Sequence, residues 1–246
     1  MSGPNELFAA EVVANIAGLK ADSDLQALAR MWVRAIAPYK YTYNFAWLGR
    51  PIIQFPQDMI ALQEIVWKTR PDAIVETGVA HGGSLIYSAS LLQLLGGDGR
   101  VVGVDIDIRA HNRVEIEKHS LAGRIDLLQG SSVDPAIVER VRELVAGRER
   151  VIVILDSNHT HEHVLCELEL YSPLVRKGSY LVVYDTLIDD MPASLFPDRP
   201  WGPGNNPKTA VREFLKSNRR FRIDADIEAK LLITVAPDGY LECVED

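Results

Sequence analysis

Five short apolar segments alternate with helix-like segments between residues 72 and 185, and this alternation constrains the fold more than any other feature. The apolar segments are DAIVETG (72–78), RVVGVDID (100–107), IDLLQG (125–130), RVIVILDS (150–157) and GSYLVVYD (178–185). Strands that are apolar throughout, instead of alternating with polar residues, are buried on both faces of a parallel sheet. Helices between such strands form right-handed crossovers. We therefore predict an α/β fold with a mostly parallel, doubly wound sheet.

The two ends of the chain have different patterns. Residues 221–227 and 231–244 are predicted to be two strands with no helix between them, so we expect them to pair as an antiparallel hairpin. Residues 1–70 have the pattern of helices and loops, with an aromatic- and proline-rich connector at 46–59. We interpret residues 1–70 as a helical cap over the sheet, and residues 71–246 as the ligand-binding domain.

Composition excludes several functional classes. The formal charge of −8 argues against general binding to nucleic acid, which requires a basic surface. No apolar run approaches the ~18 residues of a membrane span, and the first residues lack the pattern of a signal peptide. Cys166 and Cys243 are too few for a disulfide framework, which is typical of a reducing compartment. We expect a cytoplasmic protein that binds neither membrane nor nucleic acid.

Polar residues or glycines follow every predicted parallel strand at its carboxyl end, where doubly wound sheets bind ligands. They are Glu76, Gly78, Asp105, Asp107, Gly130 to Ser132, Asp156 and Asp185. Most of them are acidic, which is more than the solvation of loops requires. These residues are therefore the first candidates for a site.

The glycine-rich turn ETGVAHGGS at 76–84 separates two cofactor classes. Ala80 stands where the dinucleotide fingerprint has its middle glycine. Asp105 could accept hydrogen bonds from both ribose hydroxyls of either a dinucleotide or S-adenosylmethionine (SAM). Glu76 would repel a pyrophosphate but suits a cationic amino-acid group. We therefore favour SAM, and a dinucleotide-dependent oxidoreductase remains the alternative.

Three histidines lie within five positions in the segment HTHEH at 159–163. A zinc cassette of the metallo-β-lactamase type needs one more residue of spacing and further histidines downstream, and no histidine follows His163. We therefore interpret His161 and His163 as surface or helix-capping residues. His159 differs, because it follows the end of a strand by only a few residues.

A hard-cation site is predicted where two neighbouring strands end. Asp156 and Asp185 would lie about 5 Å apart and could share Mg²⁺, with the Thr186 hydroxyl or a water as a third ligand. His159, three residues after Asp156, could take a proton from a substrate hydroxyl beside that metal. These residues predict metal-assisted activation of a hydroxyl.

Several sequence blocks together are specific to one family. They are WLGRPIIQFPQD (47–58), IVETGVAHGGS (74–84), GVDIDIRAHNR (103–113), LDSNHTHEHVL (155–165) and AKLLITVAPDGYL (229–241). From about residue 40 onward the chain resembles the cephalosporin hydroxylase / rhamnosyl O-methyltransferase family. The resemblance implies a Rossmann-like class I methyltransferase that uses SAM, often with Mg²⁺, to methylate a hydroxyl of a natural product or sugar.

The resemblance, together with a similar layout in catechol-type and macrolide-sugar methyltransferases, implies roles for individual residues. The implied cofactor contacts are Glu76, Gly78, Ser84, Asp105, Ser132 and Asp156. The implied metal ligands are Asp156 and Asp185, and His159 is the implied general base. Tyr184 stands where family members commonly have a glutamate. Its presence leaves three alternatives for the metal: weaker binding, substitution by Thr186, or loss of the metal. It also leaves open a partner protein that binds the cofactor without catalysis.

The acceptor pocket is predicted from two segments, 38–56 and 187–207, which are rich in aromatic residues and in proline respectively. An aromatic lining suits a bulky small-molecule acceptor, and loops of more than about 15 residues are usually lids or binding loops. The apolar N-terminal helices could pack on the sheet or on a second subunit, and we expect a homo-oligomer.

Overall fold

The computed structural model describes residues 3–246, and its centre is a seven-stranded sheet. A separate two-stranded sheet precedes it, formed by β1 (Phe45–Trp47) and β2 (Arg50–Ile52). The strands of the central sheet are β3 (Ala73–Thr77), β4 (Arg100–Asp105), β5 (Ile125–Gln129), β6 (Val151–Leu155), β7 (Tyr180–Val183), β8 (Phe221–Ile223) and β9 (Tyr240–Cys243).

Helices precede, connect and follow these strands. They are α1 (Pro4–Ala21), α2 (Ser23–Ile36), α3 (Pro56–Thr69), α4 (Gly83–Leu95), α5 (Ala110–Glu117), α6 (Pro135–Leu144), α7 (His161–Tyr171), α8 (Pro207–Ser217) and α9 (Ala225–Leu231). Among residues 3–246, no helix is long and apolar enough to cross a membrane.

The strand order is β5-β4-β3-β6-β7-β9-β8, and the first five strands of this order are parallel. The predicted doubly wound sheet is therefore confirmed. The connections leave in opposite directions on either side of β3 and β6, which makes the gap between these two strands the topological switch point. In open α/β sheets, ligands bind in the crevice outside the carboxyl ends of the strands at this point.

Successive residues of each parallel strand point to opposite faces of the sheet, and both faces are covered. On one face, Ile74 and Ile152 pack in a cluster with residues of α3 and α4. On the other face, Val75 and Val153 pack in a cluster with residues of α6, α7 and α8. Burial on both faces explains why the strands are apolar throughout.

The C-terminal strands differ from the prediction. β8 and β9 do pair antiparallel, and β9 also pairs antiparallel with β7. The prediction that no helix separates them is wrong, because α9 lies between them. The Asp224 side chain accepts a hydrogen bond from the Asp226 N–H and caps the start of this helix. In the second predicted strand, Leu231 ends α9, and residues 232–239 form turns and loop instead.

The N-terminal region is attached to the core through a few buried side chains. Val33 of α2, Ile52 of β2 and Phe55 belong to the same buried cluster as the sheet residues. By contrast, no residue of α1 is buried in the part of the chain that is described. β1 and β2 form a hairpin that was predicted as loop, and its turn places Leu48 and Gly49 at φ values of 46° and 86°.

Candidate active site

A cavity of about 590 Å³ opens at the carboxyl ends of the parallel strands. Its walls include the turn after β3, the ends of β4 and β6, Asp185 after β7, and residues 51–54 from the N-terminal hairpin. This volume lies within the range of small-molecule sites, which is about 300–1,000 Å³. Most of the sequence-predicted site residues line this cavity; the exceptions are Glu76, Asp107, Gly130 and Thr186.

The glycine turn approaches the end of β6 very closely at Gly78. Its φ is +94°, and a Cβ at this position would lie 2.0 Å from the Asp156 carbonyl oxygen. Only glycine therefore fits here without displacing Asp156. Next to it, the Asp105 carboxylate accepts hydrogen bonds from the N–H groups of Val79 (2.8 Å) and Ala80 (3.2 Å). Asp105 thus fixes the turn while it also faces the cavity.

Two side chains missed by the sequence analysis hold the turn from outside. Arg50 of β2 donates to the His81 carbonyl through Nε (3.0 Å) and Nη2 (2.6 Å). Asn112, which is buried, donates to the Ala80 carbonyl at 2.9 Å and accepts from Arg50 at 3.1 Å. The N-terminal hairpin therefore braces the loop that would contact a cofactor. Both residues lie in family blocks, but their pairing joins segments 62 residues apart.

An apolar residue lies between carboxylates at the end of β4. Ile106 is 70% exposed and lines the cavity beside Asp105. An exposed large apolar side chain in a polar crevice is suited to cover one face of a planar ring. The sequence analysis did not single out Ile106, although its position between Asp105 and Asp107 was a usable signal.

Glu76 lies behind the cavity wall and is 1% exposed. It accepts a hydrogen bond from the Ser84 hydroxyl through Oε1, while its Oε2 has no partner among residues 3–246. Burial raises the pKa of Glu76 to about 7, although the hydrogen bond from Ser84 acts to lower it. A buried carboxylate with a free oxygen is suited to receive a cation.

A second unpartnered acceptor, on Gln54, lines the same small cavity as Glu76. Gln54 is 4% exposed, and its Oε1 has no partner in the described part of the chain. Gln54, Ser84 and Glu76 line a small cavity of about 10 Å³, and Gln54 and Ser84 also line the main cavity. Space of this size accommodates roughly one water or one ammonium group. Two orphaned acceptors here fit the cationic amino group of SAM.

A polar cluster centred on His163 joins the loops that follow β5 and β6. Its Nε2 lies 3.0 Å from the Ser132 hydroxyl and 3.3 Å from the Ser157 hydroxyl. Glu167, fully buried on α7, accepts from Ser157 at 2.7 Å and lies 3.5 Å from His163 Nε2. His163 was interpreted as a surface or capping residue, but it lines the cavity. His161 instead lies 2.8 Å from the Thr209 hydroxyl on α8.

Asp156, His159 and Asp185 form the one group of potential metal ligands found among residues 3–246, with ligand atoms within 4.8 Å of one another. His159 Nε2 lies 3.1 Å from Asp185 Oδ2. Burial, followed by the charges of Asp185 and Glu76, raises the pKa of Asp156 well above its ordinary value. A cation would relieve this concentration of negative charge. The oxygen-rich donor set fits a hard ion such as Mg²⁺.

Thr186 differs from its predicted position. Its side chain is fully buried, and its hydroxyl donates to the Pro237 carbonyl at 2.7 Å, so it is not part of the Asp156 group. The 3₁₀ turn that begins at Thr186 directs this side chain away from the cavity. Tyr184, also buried, packs in the core cluster, and burial raises its pKa well above the ordinary value. His159 is the third member of the cluster instead.

Two aromatic side chains from the predicted acceptor segments line the cavity, Tyr43 and Trp201. The Trp201 ring lies edge to face against His159, with centroids 4.9 Å apart. Arg199 lies 5.2 Å from the same ring. The loop that contains Trp201 is held by Asp189, which accepts from the Gly204 N–H at 3.0 Å. An acceptor bound against Trp201 would therefore lie next to the carboxylate–histidine cluster.

The chain is similar to proteins whose names agree with this chemistry. A Rhamnosyl O-methyltransferase of Mycobacterium tuberculosis is 33% identical over 191 residues, 75% of this chain and 72% of the relative. Its counterpart from Mycobacterium leprae is 30% identical over 196 residues, 79% of this chain and 81% of the relative.

Solved structures show the same fold. CmcI with Mg and SAM has a TM-score of 0.58 at 22% identity, over 82% of this chain and 77% of that chain. The O-methyltransferase from Bacillus cereus in complex with SAH has a TM-score of 0.55 at 16% identity, over 92% of both chains. The predicted class I methyltransferase fold is confirmed.

The sequence profile of one family spans most of the chain and the whole candidate site. The profile described as Rhamnosyl O-methyltransferase/CmcI matches residues 39–244, which include every candidate site residue. The resemblance of the sequence blocks is thereby confirmed, and the chain belongs to the Rhamnosyl O-methyltransferase/CmcI family.

Proposed function

We propose that the protein is a SAM-dependent, Mg²⁺-assisted O-methyltransferase that acts on a hydroxyl of a sugar or another natural product. The observation that supports this most directly is the Asp156–His159–Asp185 cluster, which lines the same cavity as Gln54, one of two unpartnered acceptors in the adjoining small cavity. Family membership supports the methyl transfer, and the name of the mycobacterial relatives supports a sugar acceptor.

The proposed cofactor contacts divide the cavity by chemistry. Glu76 and Gln54 would accept from the ammonium group, and Asp105 from the ribose hydroxyls. Ile106 would cover one face of the adenine ring, and Ser132, which also lines the cavity, would contact the cofactor. Such fixed orientation of donor and acceptor can supply up to roughly 7–11 kcal/mol of the activation barrier.

The proposed reaction is an in-line displacement. The acceptor oxygen forms a bond to the methyl carbon as the bond from carbon to sulfur breaks, and the sulfonium becomes a neutral thioether. The acceptor's proton goes to His159, the proposed general base. Asp156 and Asp185 would hold Mg²⁺, which when bound lowers the pKa of the acceptor hydroxyl. Trp201 would orient the acceptor beside His159.

The first experiment is thermal unfolding with SAM, SAH and NAD, each with and without Mg²⁺. Ligands that bind the folded state raise the unfolding temperature. We expect a shift with SAM and SAH that Mg²⁺ enlarges, and none with NAD. A shift with NAD alone would favour the oxidoreductase alternative, and no shift with SAM or SAH would contradict the proposal.

Transfer itself is measured with an aryl rhamnoside as acceptor, by mass spectrometry of the methylated product. His159→Ala should lower turnover by roughly 10²–10⁴-fold while Mg²⁺ and SAH affinities persist. His161→Ala is the matched control, because His161 contacts Thr209 instead of the cavity cluster. If His159→Ala instead abolishes Mg²⁺ binding, His159 is a metal ligand and not the base.

The division of the chain and its assembly are also part of the proposal. We propose that residues 1–70 cap the methyltransferase domain at 71–246. We also propose that the protein acts in the cytoplasm, which its free cysteines support.

We further propose a homo-oligomer that covers the exposed apolar side chains of α1 and α2, among them Phe8 and Met31. Light scattering of the wild type and of Phe8→Glu tests this, and a monomeric wild type would contradict it.

A further inference from the structure

Two of the family-specific sequence blocks, 47–58 and 229–241, meet at one buried carboxylate. Asp58, at the start of α3, is fully buried. Its oxygens accept from the Val235 N–H (2.9 Å), the Tyr240 hydroxyl (2.7 Å) and the Thr234 hydroxyl. Burial raises the pKa of Asp58 to about 6, so it is ionised at neutral pH and can accept all three bonds.

The segment held by Asp58 is bonded in turn to the residues that follow β7. The Val235 carbonyl accepts from the Leu187 N–H at 3.1 Å. The Pro237 carbonyl accepts from the Thr186 hydroxyl at 2.7 Å. Both partners lie within two residues of Asp185. Asp58 is therefore two hydrogen-bonded steps away from the turn that contains this member of the metal cluster.

Asp185 itself needs external support. Its φ is +57°, in the left-handed region, where a residue with a Cβ is disfavoured. Such conformations persist when the surrounding structure holds them in place. The amide of Ile188 donates to the Asp185 carbonyl at 3.1 Å and closes the local turn. The longer-range support comes from Val235 and Pro237.

We propose that Asp58 is a positioning residue for the metal site: by holding the 234–237 segment, it fixes the turn after β7 and so aims the Asp185 carboxylate at Asp156 and His159. This proposal rests on the metal role in the proposed function. Asp58 does not touch the cavity and takes no part in the chemistry. Groups that orient metal ligands from behind typically change metal affinity by about 10–100-fold when they are removed.

The test compares three variants, with Mn²⁺ as the probe ion. Asp58→Ala removes all acceptors. Asp58→Asn keeps an oxygen for the Val235 N–H, while the hydroxyls of Tyr240 and Thr234 can rotate to accept from its NH₂ group. Ser179→Ala is the matched control, because it removes a buried hydrogen bond (2.6 Å to the Val151 carbonyl) just before the opposite end of β7.

The readouts are Mn²⁺ affinity, SAH affinity in a metal chelator, unfolding in urea, and hydrogen exchange of the Leu187 amide. We expect Asp58→Ala to weaken Mn²⁺ binding by about 10–100-fold and to speed exchange at Leu187, with SAH affinity unchanged. Asp58→Asn should retain wild-type Mn²⁺ affinity, since the geometry and not the charge is responsible. If Asp58→Ala does not fold, Tyr240→Phe with Thr234→Val is the milder substitute, and the same loss is expected.

Three results would overturn the positioning role. Asp58→Ala could lower stability as Ser179→Ala does, yet leave Mn²⁺ affinity unchanged. Mn²⁺ and SAH affinities could fall together, which indicates general disruption. Asp58→Asn could lose Mn²⁺ like Asp58→Ala, which indicates an effect of charge. If the wild type binds no Mn²⁺, the proposed metal role fails, and exchange at Leu187 alone decides whether Asp58 holds the turn.

Discussion

Glu76→Gln should make the ligand-free protein more stable at alkaline pH while it abolishes cofactor binding. The glutamate is 1% exposed, and burial raises its pKa from 4.5 to about 7. Because the folded-state pKa is raised, the folded protein keeps a proton that the unfolded chain has already released between these two values. The contribution of Glu76 to the stability of the wild type is therefore fully present below pH 4.5 and is lost as pH rises through 7.

The size of this loss follows from the two pKa values. At about 1.4 kcal/mol per pKa unit, the ionisation of Glu76 costs the folded state about 3 kcal/mol, of which roughly 2–3 kcal/mol appears between pH 5 and pH 8. For a chain of this length, that corresponds to roughly 5–10 °C in unfolding temperature. Glutamine does not titrate, and its amide oxygen can still accept from the Ser84 hydroxyl.

The assay is urea unfolding of ligand-free wild type and Glu76→Gln at pH 5, 6, 7 and 8. Groups distant from Glu76 titrate equally in both proteins, so the difference between the two free energies reports Glu76 together with Asp156, whose pKa the charge of Glu76 raises. Glu115→Gln makes the same chemical change at an exposed position of α5 and is the control. Curves for wild type and Glu76→Gln that run parallel across this pH range would refute the reasoning. SAH should protect the wild type and not the variant.

Three further predictions concern the same cavity. Ser84→Ala removes the hydrogen bond that lowers the pKa of Glu76, so the pH at which SAH affinity is half-maximal should rise, as calorimetric titration between pH 6 and pH 9 will show. Gly78→Ala should lower the free energy of unfolding by about 3 kcal/mol and weaken Mn²⁺ binding, because its Cβ would lie 2.0 Å from the Asp156 carbonyl oxygen. A free energy of unfolding in urea equal to that of the wild type would contradict this. Trp201→Ala should raise KM for the acceptor and leave SAH affinity unchanged, since the ring lies beside His159 at the acceptor side; steady-state kinetics with equal KM values would exclude that role.

The parallel part of the fold could be predicted because burial on both faces leaves a strong signal. Four of the five strands are buried at nearly every position, whereas the edge strand β5 is only partly buried. Each strand has a polar residue or glycine at its end or within the next two residues. The rule that ligands bind at carboxyl strand ends then predicts that Asp156 and Asp185 lie near each other, as they do.

The features that the sequence did not predict depend on local turns and on contacts between distant segments. The hairpin of β1 and β2 turns at Leu48, a residue rarely found in the left-handed region. Helix α9 begins at the Asp224 cap, within a segment that starts with strand-like alternation. The direction of the Thr186 hydroxyl is set by Pro237, 51 residues later in the chain. Local sequence patterns contain no information about such partners.

Asp58 and Thr234, which are in contact, lie 176 residues apart in the sequence, so the ribosome synthesises them at different times. At ~5–20 residues per second, roughly 9–35 s of translation elapse between the two residues. During that interval the strands of the parallel sheet can pair, but the turn after β7 has no partner to hold it. The proposed cation site can therefore mature only after residues 234–237 have been synthesised, later than the five parallel strands whose carboxyl ends line the cavity.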